Sequence, residues 1–529
     1  MTFRHGWFSL LPMMKRHWLG ALSALLGLAA STTAGEPGGN PLIHQRWFEA
    51  RTAHFRIYSC GSTQAVARVA ARLEQFHDGY SLLAGAQAVA SPPIVVMAFP
   101  DYASMKPFLP LYQGKPENLA GFFIRGSDEN LIALHLSGSG ADSLERIFHE
   151  YAHLLMRHNA PFWPMWLNEG MAEIYAPFEV IGPYRIRIGK PLNPHLRLLE
   201  RTPLMPLHKL FAVSRNSPEY NELQHQGVFY AQSWLLAHYL MLGGNPANQA
   251  GFRQLTPLLR QGQFPEQAFT NALHTSLPAM EAQLSRYLAQ GKFQSLELSV
   301  SASLEAPRPT FARGLTPAET CVHLGDQLLR IGRLDTAESY FLQGRQLAPA
   351  SPLPFEGLGL LAAQRRQPEE AARLLREAMR RGPVSFLSHY VYAQETYALT
   401  AHAPDSYSRL DKEQAADIRA QLEKSLSLMP DFGPAHNLLG FLEMAQGEDL
   451  AAAEKHLAKA VQLEPENPAH QLVLAQVQLA RNDPAAARRT LEPLCRPYVE
   501  PRIRAHAEQM LQRVGTSERR SVGASKRDP

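Results

Sequence analysis

His149 and His153 stand four residues apart in the stretch Phe148–Ala176, FHEYAHLLMRHNAPFWPMWLNEGMAEIYA. On a helix that spacing projects both imidazoles from one face, one turn apart, close enough to reach a single metal ion. Glu150, between them, is a candidate general base. Two imidazoles do not complete a site, because catalytic zinc usually takes three protein ligands and keeps a fourth position for water. The third ligand must come from chain that folds back on the first helix, and Glu169 and Glu173 are the candidates. They too are four apart, so both carboxylates share a face of a short helical run from about Trp166 to Tyr175 that Pro177 ends. One can bind the metal while the other orients a ligand. The chemistry expected of such a set is metal-assisted hydrolysis.

The elements around these residues carry their own signals. Asp142 can cap the first helix, with Glu145 three residues on as its capping-box partner, while Asn159 and Pro161 close the other end. These residues resemble the gluzincins, the thermolysin-like or peptidase MA-like zinc metallopeptidases. That pattern is HExxH followed by a glutamate on a second helix, often as Asn-Glu with an acid four residues on, and this chain has Asn168-Glu169 and then Glu173. The resemblance implies one zinc ion per chain held by His149, His153 and Glu169, with Glu173 orienting a ligand histidine from behind. It implies hydrolysis of peptide bonds in a peptide or protein, with Glu150 as the base. Only 15 residues separate His153 from Glu169, fewer than in the best-known gluzincins, so the connection here must be tighter. The metzincin pattern does not fit, since its glycine and third histidine would fall at Met156 and Asn159. His158 lies on the wrong face. Gluzincins commonly supply a downstream tyrosine or histidine that donates to the oxyanion. Tyr230, in the helix expected over Gln226–Leu242, is the leading candidate, with His225 and Tyr175 behind it; a core or interface tyrosine is the plainer alternative.

The chain has 529 residues and a net charge of +4. That length calls for two or three domains, and basic residues do not cluster with aromatics outside the ends, so nucleic acid is not expected as a partner. Arg4, Lys15 and Arg16 precede the apolar stretch Trp18–Ala30, and Thr32-Thr33-Ala34 offers small residues for cleavage. Residues 1–34 therefore read as a signal peptide, giving an exported, periplasmic or extracellular protein. The rival is an uncleaved anchor, but the apolar core is shorter than the roughly 20 residues a membrane-spanning helix needs. Residues 35–46 read as a flexible lead-in. Cys60, Cys321 and Cys495 do not make a disulfide framework.

From 47 to 298 the pattern fits an α+β thermolysin-like zincin domain, a mixed-sheet lobe followed by a helical lobe. His54–Tyr58, Ile94–Phe99, Ala120–Ile124 and Asn130–Leu136 read as strands and Gln64–Leu83 as a helix. By resemblance, Ala120–Ile124 or Asn130–Leu136 borders the cleft and pairs with extended substrate; an ordinary sheet edge is the alternative. Tyr184–Ile188 alternates as a strand, and helices are expected from Leu207, at Phe252–Arg260 and at Ala279–Leu288. Residues 299–314, rich in Ser, Pro and Arg, read as a linker.

Beyond it the chain repeats. Leu324-Gly325, Ala337, Phe341, Gly344 and Pro349 recur 34 residues on as Leu358-Gly359, Ala371, Leu375, Ala378 and Pro383, the tetratricopeptide period. Five such units are expected over residues 315–514, the third with an insertion around Ala401–Arg409, the last followed by a capping helix at Pro501–Val514. They form an all-α superhelix whose concave face is expected to bind a protein partner. A polar tail, 515–529, reads as disordered. The combined architecture resembles a bacterial family that joins a secreted peptidase MA-like domain to tetratricopeptide repeats. The competing reading is a periplasmic scaffold in which the repeats carry the function and the zincin domain is structural or inactive.

Overall fold

The computed structural model describes residues 41–524 except 85–93, 113, 118, 127, 138–140, 157–162, 215, 216, 218–222, 262, 306, 307, 402–409, 448, 466 and 496–498. The side chains of 141–143, 223–226, 260, 401 and 513–524 also lie outside what is described. The signal peptide read at 1–34 falls outside it too. The chain divides into two compact units. One comprises Arg46–Leu109 and Glu117–Gly314; the other holds residues up to Gln45, Pro110–Pro116 and everything from Leu315.

The strands are β1 (Phe48–Arg51), β2 (Phe55–Ser59), β3 (Ile94–Phe99), β4 (Leu111–Tyr112), β5 (Lys115–Pro116), β6 (Gly121–Ile124), β7 (Asn130–His135), β8 (Glu179–Gly182), β9 (Arg185–Ile188), β10 (Leu296–Ser299) and β11 (Thr310–Gly314). The main sheet of the first unit has the order β11-β1-β2-β3-β7-β6. Its centre, β2-β3-β7, is parallel, which is why β3 reads as an unbroken apolar run and is buried throughout. Ile94, Val96 and Ala98 face the large core. On the other face Phe99 meets Trp47 and Phe108 at ring separations of 5.9 and 5.4 Å.

Helix α1 (Thr63–Ala84) crosses from β2 to β3, α2 (Tyr102–Met105) follows β3, and α3 (Ala141–Met156) follows β7. After α4 (Met165–Tyr175) a small antiparallel sheet, β8-β9-β10, leads to the helical part. That part holds α5 (Asn193–Leu199), α6 (Leu207–Ala212), α7 (Leu223–Leu242), α8 (Pro246–Arg260), α9 (Pro265–Leu273) and α10 (Leu277–Gln290). Helix α7 is apolar on every side, and Phe229, Ala231, Trp234, Leu235, Leu236, Ala237 and Leu240 are all fully enclosed. Such a helix sits inside a lobe with other helices packed round it.

Three boundaries differ from the sequence reading. Residues 299–314 are not simply a linker: β11 returns to pair antiparallel with β1 and closes one edge of the sheet. Its residues are exposed, with Phe311 meeting Phe48 edge-on at a ring separation of 5.7 Å, and an exposed edge strand held mainly by backbone pairing leaves no apolar alternation to read. The lead-in 35–46 is not flexible over its last part, since Pro41–His44 is a 3-10 helix that buries Leu42 and Ile43. Finally, the terminal helix runs Pro501–Ala524, past the expected stop at Val514 and through most of the tail read as disordered. No proline interrupts residues 502–524, so the backbone ladder can continue past Val514.

The second unit is built from helix hairpins, described at Pro317–Arg330 with Leu334–Leu347, Leu353–Gln364 with Pro368–Arg381, Phe386–Ala401 with Lys412–Leu428, Gly433–Gln446 with Leu450–Leu463, and Pro468–Ala480 with Pro484–Leu491. A capping box of Thr316 and Glu319 starts the first helix. The small residues of the repeat seat large ones. A Cβ on Gly357 would lie 2.4 Å from the Phe341 ring, so only glycine lets the second hairpin settle on the first. Cys60, Cys321 and Cys495 are free thiols. Among the described residues no helix is long and apolar enough to cross a membrane.

Candidate metal centre

Helix α3 is oriented by its own periodicity. Leu144, Ile147, Phe148, Tyr151 and Ala152 make its buried stripe. Phe148 stacks on Phe76 of α1 with ring centres 4.4 Å apart, and the Tyr151 hydroxyl lies 2.6 Å from Nδ1 of His77. At about 100° per residue, His149, His153 and Glu150 lie roughly 100–200° round the axis from Phe148. Packing the apolar stripe therefore turns these three toward α4. The helix starts at Ala141, so Asp142 sits inside its first turn rather than ahead of it, and the side chain read as a cap is outside the described residues.

Helix α4 starts after Pro164, whose carbonyl accepts from the backbone N–H of Leu167 and Asn168 at 3.0 and 3.1 Å. It is buried on almost every side, lying between α3 and α7. At Gly170 the backbone comes so near α7 that an added Cβ would sit 2.4 Å from the Ser233 carbonyl oxygen. Glu169, next in the chain, is thereby held against α3.

Three donor atoms meet there. Nε2 of His153 is 3.1 Å from Nε2 of His149 and 3.0 Å from Oε2 of Glu169, and Nε2 of His149 is 3.4 Å from the same oxygen. Tetrahedral zinc with bonds near 2.0–2.1 Å separates its ligand atoms by about 3.3 Å, so the triangle has the size of one face of such a tetrahedron. The second nitrogens decide which way the lone pairs point. Nδ1 of His153 lies 2.7 Å from Asn168 Oδ1. With the amide oxygen assigned to that side it can only accept, so Nδ1 carries the proton and Nε2 presents its lone pair to the centre. Nδ1 of His149 faces Oε1 of Glu173 at 3.4 Å, and the other oxygen of Glu173 faces Nε2 of His195 at 3.3 Å.

The electrostatics suit a cation. Burial pushes the Glu169 carboxyl up, but hydrogen bonds from His149 and His153 and their charge outweigh it and hold it at about 2. Burial likewise disfavours a charged His149, yet Glu173, Glu169 and Glu150 together hold it well above the ordinary histidine value. In the metal-free site a proton thus does part of the work of a positive ion. Metal binding would displace it.

His54, His77 and Asp78 form a second histidine–carboxylate cluster among the described residues. Its geometry differs. The His54 and His77 rings are stacked, 3.6 Å apart at 25°, so their in-plane lone pairs run side by side. His149 and His153 meet edge to face at 83°, and theirs converge. Nδ1 of His54 is 2.7 Å from Glu74, a pair that explains that cluster without a metal.

The remaining candidates separate clearly. Glu150 is half-buried on α3 beside the triangle. Tyr230 of α7 has its ring 6.1 Å from that of His149. Tyr175 instead packs edge-on against Tyr80 in the core, 5.0 Å away, where burial pushes its hydroxyl up to about 12. The side chain of His225, and His158 altogether, lie outside the described residues. Of the two strands read as cleft borders, β7 is paired on both sides, by β3 and β6, and has no free edge. β6 is the outer strand of the sheet. Its Gly121 sits where a Cβ would come within 3.2 Å of Ile147 on α3, so this edge lies beside the histidine helix. Sequence reasoning did not assign roles to Asn168 or His195. Asn168 was visible within the motif, whereas His195 has no local signal at all.

A model of the tetratricopeptide repeat family matches residues 446–510, and this region has that repeat fold. No curated protein sequence matches the chain. Among solved structures, the chain is similar to YrrB, a tetratricopeptide protein with an unusual peptide-binding site, at 15% identity, covering 36% of this chain and 92% of that one with a TM-score of 0.30. It is also similar to TTC0263, a thermophilic tetratricopeptide protein of Thermus thermophilus, at 21% identity, 37% and 99% coverage and a TM-score of 0.29. A third similarity is to Pseudomonas aeruginosa pilF, at 14% identity, 38% and 90% coverage and a TM-score of 0.29.

Proposed function

We propose that residues 46–314 form a gluzincin-type zinc metallopeptidase and that the repeat unit binds a protein partner on its concave face. His149, His153 and Glu169 would hold one zinc ion per chain. The observation that carries this reading is the convergence of two imidazole Nε2 atoms and one carboxylate oxygen within 3.0–3.4 Å, each imidazole backed by an acceptor at its other nitrogen. Zinc bound by such a set supplies a Lewis acid for a carbonyl oxygen and lowers the pKa of water toward 7. Glu150 takes the proton of the attacking water and passes it to the leaving amine. Tyr230 donates a hydrogen bond to the carbonyl oxygen as it gains charge. Asn168 and Glu173 keep the two rings in the tautomer and orientation that direct Nε2 inward. β6, the outer strand of the sheet among the described residues, offers backbone groups to an extended peptide, and the substrate is accordingly a peptide or protein.

The scaffold reading draws on a different observation: the family match falls within the repeats, at 446–510. In that reading the metal centre would be structural or idle. A structural zinc normally fills all four positions with protein ligands and has no use for a carboxylate base beside it. Metal analysis of the purified chain and its Glu150→Gln form, each incubated with a mixed peptide library, separates the two. The peptidase reading expects equal zinc in both and cleavage only by the unaltered chain. Zinc without cleavage by either would leave the scaffold reading standing.

A further inference from the structure

Glu173 is a half-buried carboxylate with two oxygens and two histidine neighbours. Oε1 faces Nδ1 of His149 at 3.4 Å, and Oε2 faces Nε2 of His195 at 3.3 Å. These are charge-pair distances rather than short hydrogen bonds. His195 comes from α5, a separate element packed against α7, where its ring leans on Trp234 at 6.1 Å. Its Nε2 is closed off from solvent and, among the described residues, makes no hydrogen bond; the Glu173 oxygen is its ion-pair neighbour. The terminal torsion of a glutamate is soft and roughly two-fold, so one contact at 3.4 Å does not fix the plane of the carboxylate. A second contact on the other oxygen does.

We infer that His195 is a positioning residue for the metal centre, holding one oxygen of Glu173 so that the other stays on Nδ1 of His149 and the His149 lone pair points inward. This rests on the zinc reading above. The order of action is His195 on Glu173, Glu173 on His149, and His149 on the metal. Without His195 the Glu173 carboxylate loses the contact on one oxygen and is free to turn, and the His149 ring turns with it.

The test uses the full chain, stripped of metal and titrated with zinc against a competing chelator. His195→Ala should weaken zinc binding by roughly 10–100-fold, the usual loss for a residue that orients a ligand. His195→Gln, which restores an N–H donor, should recover most of it. Because His195 acts through Glu173, the double variant His195→Ala, Glu173→Gln should bind no more weakly than Glu173→Gln alone. Unfolding midpoints of the metal-free variants keep folding apart from positioning. Zinc affinity unchanged in His195→Ala overturns the inference while leaving the zinc reading intact. So do losses that add in the double variant, or a lowered metal-free midpoint that His195→Gln does not repair. An unaltered chain that takes up no zinc overturns both.

Discussion

Gly170→Ala isolates the contact that places Glu169. In an exposed helix the change would stabilise by about 1 kcal/mol, since glycine carries the larger backbone entropy. Here the new methyl would stand 2.4 Å from the Ser233 carbonyl oxygen, 2.9 Å from its carbon and 3.0 Å from Cβ of Ala237. The first two are backbone atoms of α7 and cannot swing aside. The shortfall from ordinary contact is about 1 Å, so α4 and α7 must separate by that order. Overpacking on this scale costs about 1–3 kcal/mol, which leaves a net change between about zero and a loss of about 2 kcal/mol after the propensity gain. Denaturant unfolding of the metal-free chain followed by tryptophan fluorescence suits the question. Tryptophans occur at 7, 18, 47, 163, 166 and 234 and nowhere in the repeats, and Trp166 and Trp234 are buried on α4 and α7 themselves. The midpoint should fall with the slope unchanged. Peptidase activity should fall further than stability does, because a 1 Å displacement near a reaction centre costs on the order of 100-fold. A variant more stable than the parent by the full propensity gain of about 1 kcal/mol would refute the close approach and with it this account of how Glu169 is held.

Other expectations follow from the same geometry. Glu150→Gln should lower turnover by roughly 100–10,000-fold with zinc content unchanged; turnover at the parent level would remove Glu150 from the mechanism. Glu169→Ala should release the metal outright, whereas Glu173→Gln should only weaken it; metal lost with Glu173 alone would reverse the two assignments. Tyr230→Phe should lower kcat and leave zinc affinity alone, and a change in zinc affinity without one in kcat would make it a packing residue. His238 is enclosed between the Tyr287 hydroxyl at 2.8 Å and the Gly189 carbonyl at 3.1 Å, and burial lowers its pKa to about 4. Its unfolded form takes up a proton near 6.5, so between about 6.5 and 4 the unfolded chain binds more protons and stability falls as pH falls. The full span is worth about 3 kcal/mol. Replacing His238 by Gln should flatten that part of the unfolding profile, and an unaltered pH slope would show that His238 is not its source.

Local regularity was legible in the sequence. The four-residue spacings of His149 with His153 and of Glu169 with Glu173 are properties of one helix each, and apolar periodicity alone turns α3 so that its histidines face away from Phe148 and Tyr151. The 34-residue recurrence from Leu324 likewise needs nothing beyond itself, because each hairpin packs mainly on its neighbours. Tertiary structure decided whatever depends on partners distant in the chain. Strand β11 is exposed and has no apolar alternation, and it is placed by pairing with β1 and by Phe311 on Phe48. Tyr175 and Tyr230 are equivalent as letters, yet one is walled into the core by Tyr80 and the other stands beside His149. Which glutamate oxygen meets both Nε2 atoms, and that His195 reaches Glu173 from another helix, follows from the angle at which α3, α4, α5 and α7 cross. No spacing along one chain segment encodes that angle; it is set by side-chain volumes at the crossings, down to the missing methyl of Gly170.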